Sequence, residues 1–408
     1  MIVIAGGEIL CAPGDLENSV QALRTGRCRC DSIRMTALAG CPSYPYYLLD
    51  EQPRRVCADD VEQYLLRVAR PLLARVFAGQ KPPPATGVFL GSSTIDYSIA
   101  EPIEQNAAGR DPAQITCKRV GGGLYVDRIM NRLGLSGPAI TVNTACTSSI
   151  NALMEAAAML ECGLIDYALV LGLELMLPIV AEGFAQMQLL SPDLLRPFSQ
   201  HRNGMILGEA VSAVLLGRED TLPGSTWHYL GGQSMCETHS VTGVDPSGAG
   251  IAALIQQVLA STETNPHPAC RDNKGDESRV YQAGTAPGFH IKPEQLTAIK
   301  AHGTGGAMMD RAEMSAMETV FADSMPPYFS LKPFIGHTLG GCGLAELILV
   351  MASVDRGFIP ATPNATPLDE QFRIPPTSTI IPVERGRFML NYFGFGGNNA
   401  SCIIEKAP

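Results

Sequence analysis

Residues 148–163 read as a helix that offers water almost nothing: Ala152, Ala156, Ala157 and Ala158 line it, and Glu155 and Glu161 are its only charges. A helix apolar on all faces has no stable place on a surface and must be deeply buried. The chain has 408 residues, enough for the large core this requires and, by length, for two or three domains. Hydrophobic residues at 46% and charged residues at 17% fit a compact globular body and not a disordered or coiled-coil one.

The run before that helix, Ala139-Ile140-Thr141-Val142-Asn143, is β-prone and gives way to small and hydroxyl residues of the capping kind. Similar short apolar runs occur at 1–5, 87–91, 167–172 and 210–216, and later at 296–301, 327–331, 378–381 and 388–392. Between them lie helical patterns. Leu65, Leu66, Val68, Leu72, Leu73 and Val76 mark one face of a helix over 61–77, and 344–354 forms another apolar helix. The alternation predicts an α/β fold with buried sheets. A polar stretch at 261–278 reads as an exposed loop. With no low-complexity linker, the expectation is two halves packed as one body, 1–245 and 246–408.

Cys146 falls at the strand-to-helix junction. A helix N-terminus favours thiolate over thiol, and the backbone N–H of Cys146 is free there to bind an oxyanion. His302-Gly303-Thr304-Gly305-Gly306 follows the apolar run that ends at Ala301, and the glycines let backbone and ligand approach closely. Lys332 to Gly343 contains His337 and repeats the layout of the cysteine segment, lying between a β-prone run and an apolar helix. The echo predicts two related halves that each give a junction to one site. Both histidines suit hydrogen-bond donation, acid–base work or metal binding. A Cys/His/His zinc site is the competing chemistry, and nothing at close spacing supplies its fourth ligand.

The formal net charge of −10 opposes nonspecific contact with nucleic acid or an anionic membrane. No apolar run reaches the length of a spanning helix, and residues 1–7 lack the pattern of a signal peptide, so the expectation is a cytoplasmic protein with no membrane span. Twelve scattered cysteines read mostly as small core residues. Cys28-Arg29-Cys30 lacks the spacing of a zinc site.

Four ordered segments, Asn143 to Ser149, His302 to Gly305, Lys332 to Gly343 and Asn391 to Gly397, together resemble the β-ketoacyl-ACP synthases, the condensing enzymes of fatty-acid and polyketide synthesis. Weaker matches run from Leu23-Arg24-Thr25-Gly26 through Arg196-Pro197-Phe198, Arg202, Gly204, Gly208 and Glu209 to Glu346, so the likeness covers nearly the whole chain. The resemblance implies a thiolase fold with two similar halves in five αβαβα layers, working as a homodimer or as a heterodimer with a related ketosynthase or chain-length factor. It implies that Cys146 accepts an acyl group from the phosphopantetheine of an acyl carrier protein, with the backbone N–H groups of Cys146 and Phe395 as oxyanion hole. His302 and His337 then promote decarboxylation of a malonyl thioester and hold the enolate, which extends the chain by two carbons. Lys332 and Glu346 fit an ion pair orienting His302, Phe395 a gate, and Thr242, Thr304 and Met205 the substrate and pantetheine walls. No bound cofactor or metal is implied, the phosphopantetheine arriving on the carrier.

Several positions depart from the family pattern. Gly306 stands where a second threonine is usual, Ser199 and Asn203 where aspartates are, Met205 where an aromatic is common, and Asn398 where threonine or histidine is. The turn Cys11-Ala12-Pro13-Gly14 replaces a Ser-Pro-Leu-Gly turn. These changes suggest a specialised relative, with polyketide or polyene-type biosynthesis as its setting. They sustain a rival reading, a chain-length-factor subunit that shapes a partner's pocket without condensing. Such subunits generally lack the nucleophilic cysteine, so Cys146 with both histidines favours the enzyme. A thiolase-type transfer with CoA needs a second catalytic cysteine near the C-terminus, and Cys402 there looks buried on a strand.

Overall fold

The computed structural model describes residues 1–27, 29–49, 58–94, 123–260 and 291–407. The predicted loop at 261–278 and Cys28 lie outside the described residues. The first part of the chain runs through β1 (Ile2–Cys11), α1 (Leu16–Thr25), a hairpin of β2 (Asp31–Arg34) and β3 (Ser43–Tyr46), then α2 (Ala58–Val76), β4 (Gly87–Gly91), α3 (Gly123–Leu133), β5 (Ala139–Val142), α4 (Ser148–Glu161), β6 (Tyr167–Glu174), α5 (Pro178–Gln186) and β7 (Ala210–Arg218). The second part holds β8 (Trp227–Cys236), α6 (Ala249–Leu259), β9 (Ala298–Lys300), α7 (Ala307–Phe321), β10 (Tyr328–Phe329), α8 (Lys332–Ile335) and α9 (Cys342–Asp355). It closes with the short pair β11 (Phe358–Ile359) and β12 (Ile381–Pro382), and then β13 (Gly386–Phe393) and β14 (Asn398–Lys406). The predicted strand at 378–381 reduces to β12, which pairs only with β11 among the described residues.

Ten strands follow one order, β10, β9, β13, β14, β8, β1, β7, β6, β4, β5. Read outward from the β1–β8 pair, the two arms match step for step. Each begins with two antiparallel pairings, β1–β7–β6 and β8–β14–β13, and ends with two parallel ones, β6–β4–β5 and β13–β9–β10. They meet where Ile2, Val3 and Ile4 pair with Tyr229, His228 and Trp227. Because β8 heads the second arm, we propose that the halves divide between β7 and β8 and not at 245/246, which would leave β8 with the wrong series.

Alternating side chains of each arm face different helices, as the two-residue period of a strand requires. Leu169, Leu171 and Leu173 of β6 pack with α2 and α3, while Ala168 and Val170 face α4 and α9. In the other arm Ile299 and Met389 pack with α6 and α7, while Ala298, Phe388 and Leu390 face the same central helices. The layers are therefore helix, sheet, helix, sheet, helix, with α4 and α9 in the middle. Every residue of α9 from Cys342 to Val354 is buried. Its apolar sequence on all sides is explained by having sheets on both sides.

The central helices touch through glycine. A β-carbon on Gly343 would stand 2.5 Å from the backbone nitrogen of Ile150, and one on Gly91 2.2 Å from the Cα of Ser149. Leu344 N–H donates to Ser149 Oγ at 3.2 Å across the same contact. We expect Gly343→Ala to push α9 off α4, at a cost of about 1–3 kcal/mol from overpacking. The midpoint of chemical denaturation measures it; a midpoint unchanged from wild type would show that the helices can part without cost.

Candidate active site

α4 follows the end of β5, α9 follows β10 after the single turn of α8 and a loop, and the first turns of the two helices converge. Ala145 adopts φ +54° just before Cys146, which turns the chain sharply out of β5 and presents the cysteine at the start of α4. His337 lies between the single turn of α8 and the start of α9, in a loop pinned to Ile206 and Gly208 by its backbone N–H and carbonyl. The result sets His337 Nε2 3.2 Å from Cys146 Sγ. His302, in the glycine loop after β9, completes the group: its ring centre is 5.3 Å from that of His337, edge to face. All three side chains are buried.

The loop carrying His302 is clamped by α7. Glu313 accepts the backbone N–H groups of His302 and Gly303 at 2.7 and 2.8 Å, and Asp310 accepts those of Thr304 and Gly305 and, from the other side, Phe198. Burial pushes the Glu313 carboxyl up to about 7 and Asp310 up to about 6, with these N–H bonds opposing it. Lys332 Nζ contacts Glu346 Oε1 at 2.7 Å and His302 Nδ1 at 3.5 Å. An ammonium is only a donor, so His302 Nδ1 is the acceptor and its proton sits on Nε2, facing away from the lysine.

The remaining predicted residues surround this core. The Phe395 loop sits against Cys146: a β-carbon on Gly394 would be 3.2 Å from the backbone nitrogen of Cys146. The Phe395 ring stacks on Phe184 of α5, centroids 5.5 Å apart. Asn398, one of the departures, accepts from Thr147 Oγ1 at 2.5 Å and Asn151 Nδ2 at 2.9 Å and so ties this loop to the first turns of α4. Met205 belongs to an apolar cluster with Cys146, Met35, Met176 and Leu339, which the β2–β3 hairpin covers with Ile33 and Tyr46. Thr242 is exposed, beside Val241, whose carbonyl accepts the N–H of Gly396 at 2.6 Å. Thr304 is buried, and its hydroxyl accepts the Gly306 N–H of its own loop and donates to Asp310 of α7.

Electrostatics correct one expectation. Burial pushes the Cys146 thiol up to about 11, against the lowering action of the Phe395 backbone and Lys332. Desolvation outweighs the helix terminus, so the resting group is a thiol. Both histidines are held well below their ordinary range, first by burial and then by Lys332, with Lys300 adding to the effect. The resting site is thus a neutral thiol beside two neutral imidazoles. Charge is created only when reaction begins.

Two parts of this site were not anticipated from sequence. Glu313 and Asp310 are three positions apart on a helix otherwise rich in methionine and alanine, a spacing that puts both on one face. Lys300 ends a three-residue buried strand two positions before His302, and its charge in an apolar run was the available signal. Among the described residues no cluster of His, Cys, Asp and Glu could hold a metal, and no helix is long and apolar enough to cross a membrane.

Family models for the β-ketoacyl synthase N-terminal and C-terminal domains match residues 47–221 and 267–366. The chain belongs to the β-ketoacyl synthase family. It is 29% identical over 345 residues to the highly reducing polyketide synthase alnA of Emericella nidulans, covering 80% of this chain and 13% of that one. It is 30% identical over 336 residues to the lovastatin diketide synthase lovF of Aspergillus terreus, covering 79% and 12%. The chain therefore spans about an eighth of the length of these curated relatives. Among solved structures, the ishigamide ketosynthase/chain length factor matches with a TM-score of 0.82 at 23% identity, covering 100% of this chain and 99% of that one. A chain of the complex between the Xenorhabdus doucetiae ketosynthase ApeO and its chain length factor ApeC matches with a TM-score of 0.77 at 24% identity, covering 100% of this chain and 98% of that one. These are likenesses of fold, and the fold is that of the thiolases.

A thiol raised to about 11 is deprotonated by one order of magnitude per pH unit below that value. We therefore expect the rate of Cys146 alkylation by iodoacetamide, followed by peptide mass, to climb about tenfold per unit between pH 7 and 9. A plateau near pH 7 would mean that the resting group is already a thiolate.

Proposed function

We propose that the chain carries out decarboxylative Claisen condensation in polyketide-type synthesis, using Cys146 as acyl acceptor and His302 and His337 as the groups that handle the extender. The observation that carries this reading is the 3.2 Å contact between His337 Nε2 and Cys146 Sγ with His302 alongside. The substrates reach the site as thioesters on the phosphopantetheine of an acyl carrier protein.

In the first half-reaction the thiol attacks the acyl thioester while its proton passes toward His337, the nearest base. The acyl C–S bond to the carrier breaks, one to Cys146 forms, and His337 gives the proton to the departing pantetheine sulfur, which returns the imidazole to its neutral form. A thiolate suits both directions, since it attacks now and must leave later. The backbone N–H groups of Cys146 and Phe395 face the developing oxyanion. In the second half-reaction a malonyl thioester loses carbon dioxide, and the electrons of the broken C–C bond become an enolate. His302 Nε2–H, fixed in that tautomer by Lys332, and His337 hold the enolate oxygen. The enolate carbon then attacks the acyl carbonyl, forming a C–C bond and expelling the Cys146 thiolate. Buried neutral donors favour this sequence, because they stabilise a negative charge that no resting counterion has already neutralised.

Two of the solved neighbours are a ketosynthase/chain length factor and a ketosynthase in complex with its chain length factor, and we infer that this chain pairs with a second chain of the same fold, its own copy or a relative. The competing reading is that this chain is itself the non-condensing member of such a pair. The two make different predictions for the purified complex supplied with acyl- and malonyl-carrier protein. We expect an acyl adduct on Cys146 by intact mass, lost in Cys146→Ala. We expect His302→Ala to retain the adduct while condensation falls by about 10²–10⁴, the range for losing an acid–base group. An adduct found only on the partner would establish the non-condensing role.

A further inference from the structure

Lys300 is fully buried, and the groups that its nitrogen touches among the described residues are acceptors. Its Nζ bonds Glu346 Oε2 and, at 2.6 Å, the backbone carbonyl of Asn391, and it stands 3.6 Å above the ring of Tyr392. A carboxylate oxygen, a carbonyl and a π face together suit the three protons of an ammonium and leave no site for a lone pair. Glu346 is thus divided, one oxygen to Lys300 and the other to Lys332. Two buried cations share one buried anion, next to two neutral histidines.

We propose that Lys300 is a positioning residue for the histidine pair: by holding one oxygen of Glu346, it leaves Lys332 a single carboxylate oxygen, so that this ammonium sits between Glu346 Oε1 and His302 Nδ1. Without Lys300, both oxygens of Glu346 are available to Lys332, and the pull on that ammonium turns away from His302. The tautomer that keeps a proton on Nε2 then loses its support. Lys300 also supplies the cluster's excess positive charge, which favours an enolate on the histidines over the neutral ground state. The inference rests on the condensing function proposed above.

The same arrangement sets a pH dependence. The charged or titratable groups around the histidines are Lys300, Lys332 and Glu346, Cys146 and Cys342 at the two helix starts, and Glu313 of α7. Lys300 is among the charges that hold both imidazoles down. A nearby cation disfavours imidazolium, so removing it raises the histidines and moves loss of the neutral form to higher pH.

The test compares wild type, Lys300→Met and Lys300→Gln in the intact complex, the glutamine retaining a donor without the charge. Malonyl-carrier protein decarboxylation and Cys146 acylation are measured separately across pH 5–9, alongside ¹⁵N spectra of the histidine ring nitrogens assigned with His302→Ala and His337→Ala. We expect decarboxylation to fall at least about tenfold more than acylation, its acid limb to move to higher pH, and the His302 Nδ1 signal to leave the position of an unprotonated nitrogen that accepts a hydrogen bond. Equal losses in both reactions, with the acid limb and the nitrogen signals unmoved, would make Lys300 a packing residue and overturn the proposal. A wild type lacking both reactions would sink the condensing function instead; the nitrogen signals alone would then decide the role of Lys300.

Discussion

The close contact between the starts of two buried helices is the constraint on which the site depends. α4 and α9 each run from a strand end into the middle layer, and glycine at 91 and 343 lets backbone meet backbone there. A side chain at 343 would push α9 off α4, and one at 91, at the end of β4, would push α4 off its strand, so either would move Cys146 relative to His337. The 3.2 Å between Cys146 and His337 is therefore a product of packing in the core. Residues with no chemistry of their own, such as Ser149, whose hydroxyl accepts from Leu344, belong to the positioning of the reactive ones.

Burial deep enough to fix this geometry also removes water, and the charges show the consequence. An isolated ion at this depth is costly, so each one present is partnered: Glu346 by two lysines, Asp310 and Glu313 by backbone N–H groups. The groups that must react stay neutral, the thiol raised and the imidazoles lowered. The helix terminus acts on the sulfur, yet removing the sulfur from water acts more strongly. A strand-to-helix junction in sequence reveals the first effect and not the second, because burial is set by layers packed from elsewhere in the chain.

The same division separates what was legible in the sequence from what was not. Cys146, His302 and His337 stood out because glycine, small residues and a change of periodicity mark their junctions locally. The runs at 87–91, 139–143 and 167–172 were readable for a similar reason, as apolar stretches bounded by glycine and polar residues, and β4, β5 and β6 lie there. β8 was missed because its composition, with Gly231, Gly232 and Gln233, is not that of a strand buried on both faces. Its place is set by β1 and β14 on either side. Lys300, Asp310 and Glu313 gain their meaning only from partners: a lysine reads as surface until Glu346, Asn391 and Tyr392 are brought around it.

The matched strand order explains why support for the site crosses between the arms. β5 leads to Cys146 and α4, and its counterpart β10 leads to His337 and α9. β6 ends at Glu174, which accepts the N–H of Gly340 at 3.0 Å and so braces the loop of His337 in the other arm. β13, the counterpart of β6, ends at the Gly394–Phe395 loop, which lies against Cys146 of the first arm. Each arm therefore holds the other's reactive residue with the loop that follows the same strand. An approximate symmetry of this kind supplies two converging helix starts and two bracing loops at once. The condensation proposed above then requires only that the equivalent positions differ, with a sulfur on one helix start to form the thioester and an imidazole at the other to move its proton.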